Sequence, residues 1–117
     1  MLIRYKKILE KIAMGLLSFM PDEKDIKKLQ ATIKQYETLE NWQLYLWKEE
    51  DDMIGLIGVV IESEETVLIQ HLTVNPSFRN QGIGRKMLQQ MKEIYCNKEF
   101  KANDVTASYV GKCGTEV

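Results

Sequence analysis

The chain has 117 residues, of which 44% are hydrophobic and 28% are charged, and its formal net charge is -1. This length fits one globular domain over residues 1–117, and the balanced composition excludes a disordered chain or a strongly basic nucleic-acid-binding protein. The longest nearly apolar run, Met53 to Ile61, is shorter than the about 20 residues of a membrane helix, so we expect no membrane partner.

The two cysteines, Cys96 and Cys113, stand far apart in the sequence. Neither has a cysteine or histidine neighbour at metal-ligand spacing, and the one histidine is His71. We therefore expect reduced thiols, no metal site and a cytoplasmic location.

The N-terminal part predicts one strand followed by two helices. Residues 2–5 form a short candidate strand. Apolar residues at helical spacing predict a first helix that ends at Pro21, namely Ile8, Leu9, Ile12, Leu16 and Phe19. Asp22 is the predicted N-cap of the second helix, where Asp25 also favours the positive end. The apolar face of the second helix is predicted to contain Ile26, Leu29, Ile33 and Tyr36.

The middle of the chain changes to strand-like segments at residues 43–48, 53–61 and 66–74, separated by short acidic turns. Connections this short force antiparallel neighbours, which predicts a three-stranded meander. Helical periodicity returns from Ile83, and a weak strand over 98–102 and a short helix over 104–109 follow. The order β-α-α-β-β-β-α-β-α predicts an α+β fold with a mostly antiparallel sheet and flanking helices.

The segment from residue 74 to 86 is the most informative one. An apolar strand ends there, and a basic, glycine-bearing loop leads into a helix. Backbone N–H groups at a helix N-terminus, with Arg79 and Arg85 nearby, suit a diphosphate, and Gly82 and Gly84 allow close approach. A glycine-rich turn before a helix is also often only a turn. The patterns of the dinucleotide fingerprint and of the NTPase phosphate loop fit worse.

The segment Leu72-Thr73-Val74-Asn75-Pro76-Ser77-Phe78-Arg79-Asn80-Gln81-Gly82-Ile83-Gly84 is similar to L-x-V-x-P-x-x-R-x-x-G-x-G. This is the pattern of the GCN5-related N-acetyltransferases, the GNAT family, which the order of elements also resembles over essentially the whole chain. The resemblance implies acetyl-CoA as donor and direct acetyl transfer to an amine of a small molecule or a protein. The alternative is a non-catalytic GNAT-like module that binds CoA or a partner protein.

The resemblance also implies which residues hold acetyl-CoA. The pantetheine arm would pair with the backbone of the fourth strand, whose N–H would meet the thioester carbonyl. The pyrophosphate would lie on the amides of the loop, with the arginines adding charge. The expected cofactor-binding residues are Leu72, Val74, Arg79, Gln81, Gly82, Ile83, Gly84 and Arg85.

Acetyl transfer needs a base for the amine and an acid for the thiolate. Histidine is a residue type often used as a general base, and His71 is predicted to share a strand face with Ile69 and Thr73, either as the base or as a hydrogen-bonded strand histidine. Tyr109 lies on a segment similar to the family's last helix and is a candidate general acid or a packing residue. An acidic turn is interpreted as solvated rather than as a source of the base; it contains Glu62, Glu64 and Glu65.

In the family, the first two helices border the acceptor site, which by resemblance places residues 19–25 and 37–42 beside it. The family normally continues into a C-terminal β-hairpin, whereas this sequence ends at Val117, soon after the predicted last helix. We therefore expect the fifth strand to be an unpaired edge that a second copy, in a homodimer, or another protein covers.

Overall fold

The sheet contains five strands in sequence order. The structure is a computed structural model that describes residues 1–20, 25–79, 81–103 and 106–107. β1 (Leu2–Arg4), β2 (Trp42–Glu49), β3 (Asp52–Ile61) and β4 (Thr66–Val74) pair antiparallel, and β5 (Glu99–Ala102) joins β4 in parallel. The predicted meander and the mostly antiparallel sheet are confirmed.

The helices connect these strands. α1 (Glu10–Leu17) follows a 3-10 turn at Lys7–Leu9, α2 (Ile26–Thr38) leads to β2, and α3 (Ile83–Ile94) follows a second 3-10 turn at Pro76–Phe78. Within the described ranges, none of the helices is long and apolar enough to cross a membrane. Most of the predicted last helix, including Tyr109, lies outside the described residues.

The start of α2 differs from the prediction. Asp25, rather than Asp22, is the N-cap, and its carboxylate accepts a hydrogen bond from the Lys27 N–H at 2.9 Å. Ile26 follows this cap in the first turn and is 65% exposed, so it does not belong to the buried face. The other three predicted positions of that face are buried, namely Leu29, Ile33 and Tyr36.

α1 and α2 cover one face of the sheet and α3 covers the other. On the α1 and α2 face, leucines of the helices pack on Leu44, Leu46 and Leu56 of the strands. On the α3 face, Met87 and Met91 pack on strand residues that include Leu72. α1 lies over β3 and β4, whereas α2 lies over β2. This order of the helices decides which parts of the molecule border β4.

The apolar face predicted for the first helix is only partly buried. Leu16 is 4% exposed, but Ile8 is 88% exposed, Ile12 44% and Phe19 39%. A second apolar row, which also has helical spacing, faces the sheet instead: Ala13, Leu16, Leu17 and Met20. Ile8, Ile12 and Phe19 of the predicted row therefore remain on the surface as an apolar strip.

Candidate functional site

β4 has one edge that is paired along its length and one that is only half paired. β3 covers the first edge, whereas β5 pairs with the other only from Thr66 to Ile69. A register shift in β3 between Gly58 and Val59 leaves Gln70 of β4 without an opposite residue, which is a β-bulge. Among the described residues, no strand covers the second edge of β4 from residue 70 to 74. We call this stretch the open edge.

Side chains from the segment after β5 hold the beginning of the open edge. The Asn103 amide donates from Nδ2 to the Gln70 carbonyl at 3.0 Å. The Thr106 hydroxyl donates to the Ile69 carbonyl at 2.8 Å and is fully buried. These bonds satisfy the carbonyls of Ile69 and Gln70 at the place where the pairing with β5 stops. The open edge therefore begins at a defined residue.

The far end of the open edge is held by the loop. Arg79 donates from Nε to the Val74 carbonyl at 3.2 Å. Because backbone groups two residues apart on a strand point the same way, Leu72 also directs its N–H and carbonyl toward the open edge. The side chains of Leu72 and Val74 are buried toward α3. These two residues therefore present backbone, not side chains, to whatever lies along the edge.

The loop ends in a glycine that its backbone conformation requires. Gly82 is the N-cap of α3 and has a φ of 76°, in the left-handed region. It offers no capping side chain, and the first helical hydrogen bond runs from the Lys86 N–H to the Gly82 carbonyl at 3.0 Å. The amides of Ile83, Gly84 and Arg85 therefore have no helical acceptor, and the helix dipole favours an anion beside them.

The remaining loop residues lie at the same end of α3. Gln81 and Arg79 are exposed, Arg85 is half-buried, and Ile83 is buried and anchors the first helical turn in the α3 core. Asn80 lies outside the described residues. The structure thus places the predicted cofactor-binding residues along one continuous line: Leu72, Val74, Arg79, Gln81, Gly82, Ile83, Gly84 and Arg85.

His71 is buried and hydrogen-bonded. The residue is 5% exposed, and its Nδ1 lies 2.5 Å from the hydroxyl of Tyr36 on α2. Gly58 lies opposite His71 on β3, where an added Cβ would overlap the Tyr36 hydroxyl. The missing side chain at Gly58 is therefore what lets Tyr36 reach across β3 to His71.

The bulge changes which side chains of β4 share a face. The prediction that Ile69 lies on the same face as His71 and Thr73 is wrong. Ile69 packs toward α3, whereas His71 contacts α2, and Thr73 pairs with Leu56, which packs under α1 and α2. One extra residue in a strand reverses the alternation of the side chains that follow it.

Thr73 has a buried hydroxyl with no hydrogen-bond partner, and it is 1% exposed. An unpaired buried hydroxyl costs about 1–3 kcal/mol, so Thr73→Val is expected to raise the free energy of unfolding by about 1 kcal/mol. Thr106→Val is the matched control, and because its hydroxyl is hydrogen-bonded, the free energy of unfolding should fall by about 1 kcal/mol. Urea unfolding of both variants measures this, and equal losses would contradict the prediction.

The acidic turn between β3 and β4 lies at the other end of β4 from the loop. Its three glutamates are exposed: Glu62, Glu64 and Glu65. Lys98 donates from Nζ to the Glu64 carbonyl at 2.7 Å, which fastens the turn to the start of β5. From Thr66 to Gln70, about 13 Å of strand separates this turn from the start of the open edge. The geometry agrees with the interpretation of a solvated turn.

The segment 37–42 was expected beside the acceptor site. Residues 37–40 of it line a cavity of about 490 Å³ between β1, the end of α2 and the start of β2. Glu37 accepts a hydrogen bond from the Tyr5 hydroxyl at 2.8 Å and pairs with Lys7 at 3.3 Å. Burial, followed by the bond to Glu37, raises the pKa of the Tyr5 hydroxyl above its ordinary value. Tyr36 also lines this cavity, which lies on the β1 side of the sheet rather than at the open edge.

Sequence reasoning missed the residues that shape the open edge. These are Gln70, Asn103 and Thr106, together with the contact of Tyr36 and Gly58. Gly58 carried a readable signal, because a glycine inside a strand often marks a bulge or a close approach. In the part of the chain that the structure describes, no cluster of three His, Cys, Asp or Glu residues is placed to hold a metal ion.

Comparisons with known proteins agree with this geometry. The profile of the Acetyltransferase (GNAT) family matches residues 13–110. An uncharacterized N-acetyltransferase in the lysA 3' region of Bacillus methanolicus is 62% identical over 113 residues, which cover 97% of this chain and 94% of that protein. The chain therefore belongs to the GNAT family of acetyltransferases.

Solved structures share the fold. The structure of AAC(6')-Iy in complex with the bisubstrate analog CoA-S-monomethyl-acetylneamine has a TM-score of 0.77 at 13% identity and covers 99% of this chain and 86% of that one. A GNAT family acetyltransferase from Elizabethkingia anophelis with acetyl-CoA bound has a TM-score of 0.72 at 21% identity, over 99% and 72% of the two chains. At such identities the likeness concerns the fold alone, and it confirms the predicted GNAT-like architecture.

Proposed function

We propose that this protein transfers an acetyl group from acetyl-CoA directly to an amine of a small molecule or a protein. The observation that carries the proposal is the continuous line from the open edge of β4 to the N-terminus of α3, where no side chain caps the first amides. An extended thioester arm fits the unpaired strand backbone, and a diphosphate fits the helix terminus. Family membership makes acetyl-CoA the donor.

Each part of the line has a proposed role. The pyrophosphate is held by the amides from Gln81 to Arg85, with added charge from Arg79. The pantetheine arm pairs with the backbone of Leu72 and Val74. One N–H of the open edge donates to the thioester oxygen and stabilises the negative charge that develops there.

The reaction needs no covalent enzyme intermediate. The neutral amine nitrogen attacks the thioester carbonyl carbon, the new C–N bond forms, and the C–S bond breaks. One proton leaves the amine nitrogen and one reaches the CoA sulfur, so an acid and a base assist the step. The transfer changes no oxidation state, so it needs no oxidant or reductant.

His71 and Tyr109 remain the proposed proton-transfer residues. The bond to Tyr36 fixes the His71 ring on the α1 and α2 face of β4, close to the start of the open edge. His71→Gln and Tyr109→Phe are the variants to compare, with CoA release as the readout. Loss of turnover with unchanged acetyl-CoA binding supports a role in proton transfer.

A non-catalytic CoA-binding module is the second candidate. The burial of His71 and the position of the acidic turn at the other end of β4 favour it. The cytoplasmic location and a homodimer across the edge of β5 are also proposals. A link to riboflavin biosynthesis is proposed because residues 1–7 and 10–21 resemble RibT, the GNAT-like protein of bacterial riboflavin operons.

A thermal melt with acetyl-CoA tests the cofactor site. A ligand at 100 times its dissociation constant adds about 2.7 kcal/mol to the free energy of unfolding. For a domain of this size, the midpoint should rise by roughly ten degrees. Dephospho-CoA should reproduce part of the rise, and acetate none of it. An unchanged midpoint at millimolar acetyl-CoA would remove the support for the transfer reaction.

A further inference from the structure

The described part of the chain leaves uncovered several apolar side chains on one side of α1 and in the turns before and after it. Ile8 is 88% exposed, Ile12 44% and Phe19 39%. Gly15 lies between them and has no neighbouring atom within 4 Å of the position of a Cβ. These four positions recur at helical spacing and form one strip, which we call the α1 flank.

The direction of the α1 flank follows from the neighbours of α1. Lys7 pairs with Glu10 of α1 at 2.6 Å and with Glu37 of α2 at 3.3 Å, so Glu10 marks the side that faces α2. Ile12 lies about 200° around the helix from Glu10. Because α2 lies over β2 and α1 over β3 and β4, the α1 flank points past β4 toward its open edge.

Thr73 lies on β4 opposite Leu56, in the layer that packs under α1, and it is 1% exposed. A small molecule between the α1 flank and the open edge therefore meets the apolar wall and the strand backbone, and not the buried Thr73 hydroxyl. Apolar walls with few polar groups are the usual composition of small-molecule sites.

We propose that the α1 flank is the acceptor wall and that the acceptor is a primary amine with an apolar alkyl or aryl body. The inference rests on the proposed acetyl transfer, which places the thioester at the open edge. Contact with Ile12 and Phe19, across the space left by Gly15, holds the apolar body while the amine nitrogen reaches the thioester carbon.

Charge argues against a polycationic acceptor. The α1 flank contains no carboxylate, and Glu10 is on the opposite side of the helix and paired with Lys7. Lys11 is exposed and precedes Gly15 by one helical turn, so it repels cations beside the flank. An aminoglycoside or a polyamine finds no counter-charge on this wall.

The test measures CoA release by the full chain with acetyl-CoA and four amines: phenethylamine, hexylamine, spermidine and kanamycin. The kcat/KM values for phenethylamine and hexylamine should exceed those for spermidine and kanamycin by about tenfold or more. A higher kcat/KM for either polycation would overturn the inference. Acetyl-CoA binding is measured separately by the thermal melt.

Two variants and one matched control test whether the α1 flank causes the preference for apolar amines. Ile12→Asn should raise the KM for phenethylamine about tenfold, because an apolar contact is lost. Ile94→Asn makes the same change on α3, on the other face of the sheet, where Ile94 is 48% exposed, and it should leave this KM unchanged. Gly15→Leu should fill the space, raise the KM and still raise the melting midpoint by about three degrees, since leucine favours a helix.

The other outcomes are also decisive. Retained acetyl-CoA binding without turnover of any amine would overturn the acceptor site and leave the cofactor site standing. Loss of acetyl-CoA binding itself would overturn the proposed function, and the inference with it. A dimer in light scattering that Ile12→Asn dissociates, with turnover unchanged, would show that a second copy covers the flank instead.

Discussion

Gly58→Ala is expected to lower the free energy of unfolding by about 3 kcal/mol, the upper part of the range for overpacked cores. The added methyl group would overlap the Tyr36 hydroxyl and ring, and β3 is held on both sides by β2 and β4. Tyr36 would have to leave its position, and the hydrogen bond between Tyr36 and His71 would be lost. The melting midpoint should fall by roughly ten degrees.

Gly15→Ala is the matched control for Gly58→Ala. The added methyl group at Gly15 meets no neighbour within 4 Å, and alanine favours the helix by about 0.8 kcal/mol, so this variant should be more stable. Gly58→Ala combined with Tyr36→Ala completes the comparison, because the overlap is then absent. If Gly58→Ala costs the same with and without Tyr36, the contact is not the cause.

Gly82→Val is expected to raise the dissociation constant of acetyl-CoA about 100-fold. Two charge-assisted hydrogen bonds from the first amides of α3 to the pyrophosphate are lost when a bulky side chain keeps the phosphate away, at about 1.5 kcal/mol each. Calorimetric titration measures the affinity. The variant should also be less stable by about 1–2 kcal/mol, because a φ of 76° is strained for valine.

Gly82→Asn separates these two effects. Asparagine tolerates the left-handed region, so the variant should keep most of the stability and still bind acetyl-CoA more weakly than the native protein. If both variants bind acetyl-CoA with native affinity, the pyrophosphate does not lie at the N-terminus of α3, and the loop is only a turn.

The meander of β2, β3 and β4 and the loop after β4 were predictable because each depends on local sequence. Short turns on either side of β3 leave antiparallel pairing as the only option, and the apolar run from Thr66 to Val74 matches the observed strand. Gly82 lies between a strand and an amphipathic helix, so the start of α3 was also readable. These features need no knowledge of distant contacts.

The place of the bulge in β4 and the exposed side of α1 were not predictable in this way. Gly58 indicates a bulge or a close approach, but Gln70 looks like any strand residue, and only the pairing with β3 shows that it has no opposite residue. In the first helix, either of two apolar rows could face the sheet. Helical spacing fits both the row with Ile12 and the row with Ala13, and the packing of α1 over β3 and β4 decides between them.

The open edge also has a consequence for solubility. Unpaired strand backbone is a template for pairing with other chains, and most proteins with such backbone carry it at the rim of a sheet. Here it is the second half of β4, beyond the last residue that pairs with β5, and α1 packs on one face of the same strand. A ligand that pairs with this backbone, such as the proposed pantetheine arm, would at the same time keep it from pairing with another chain.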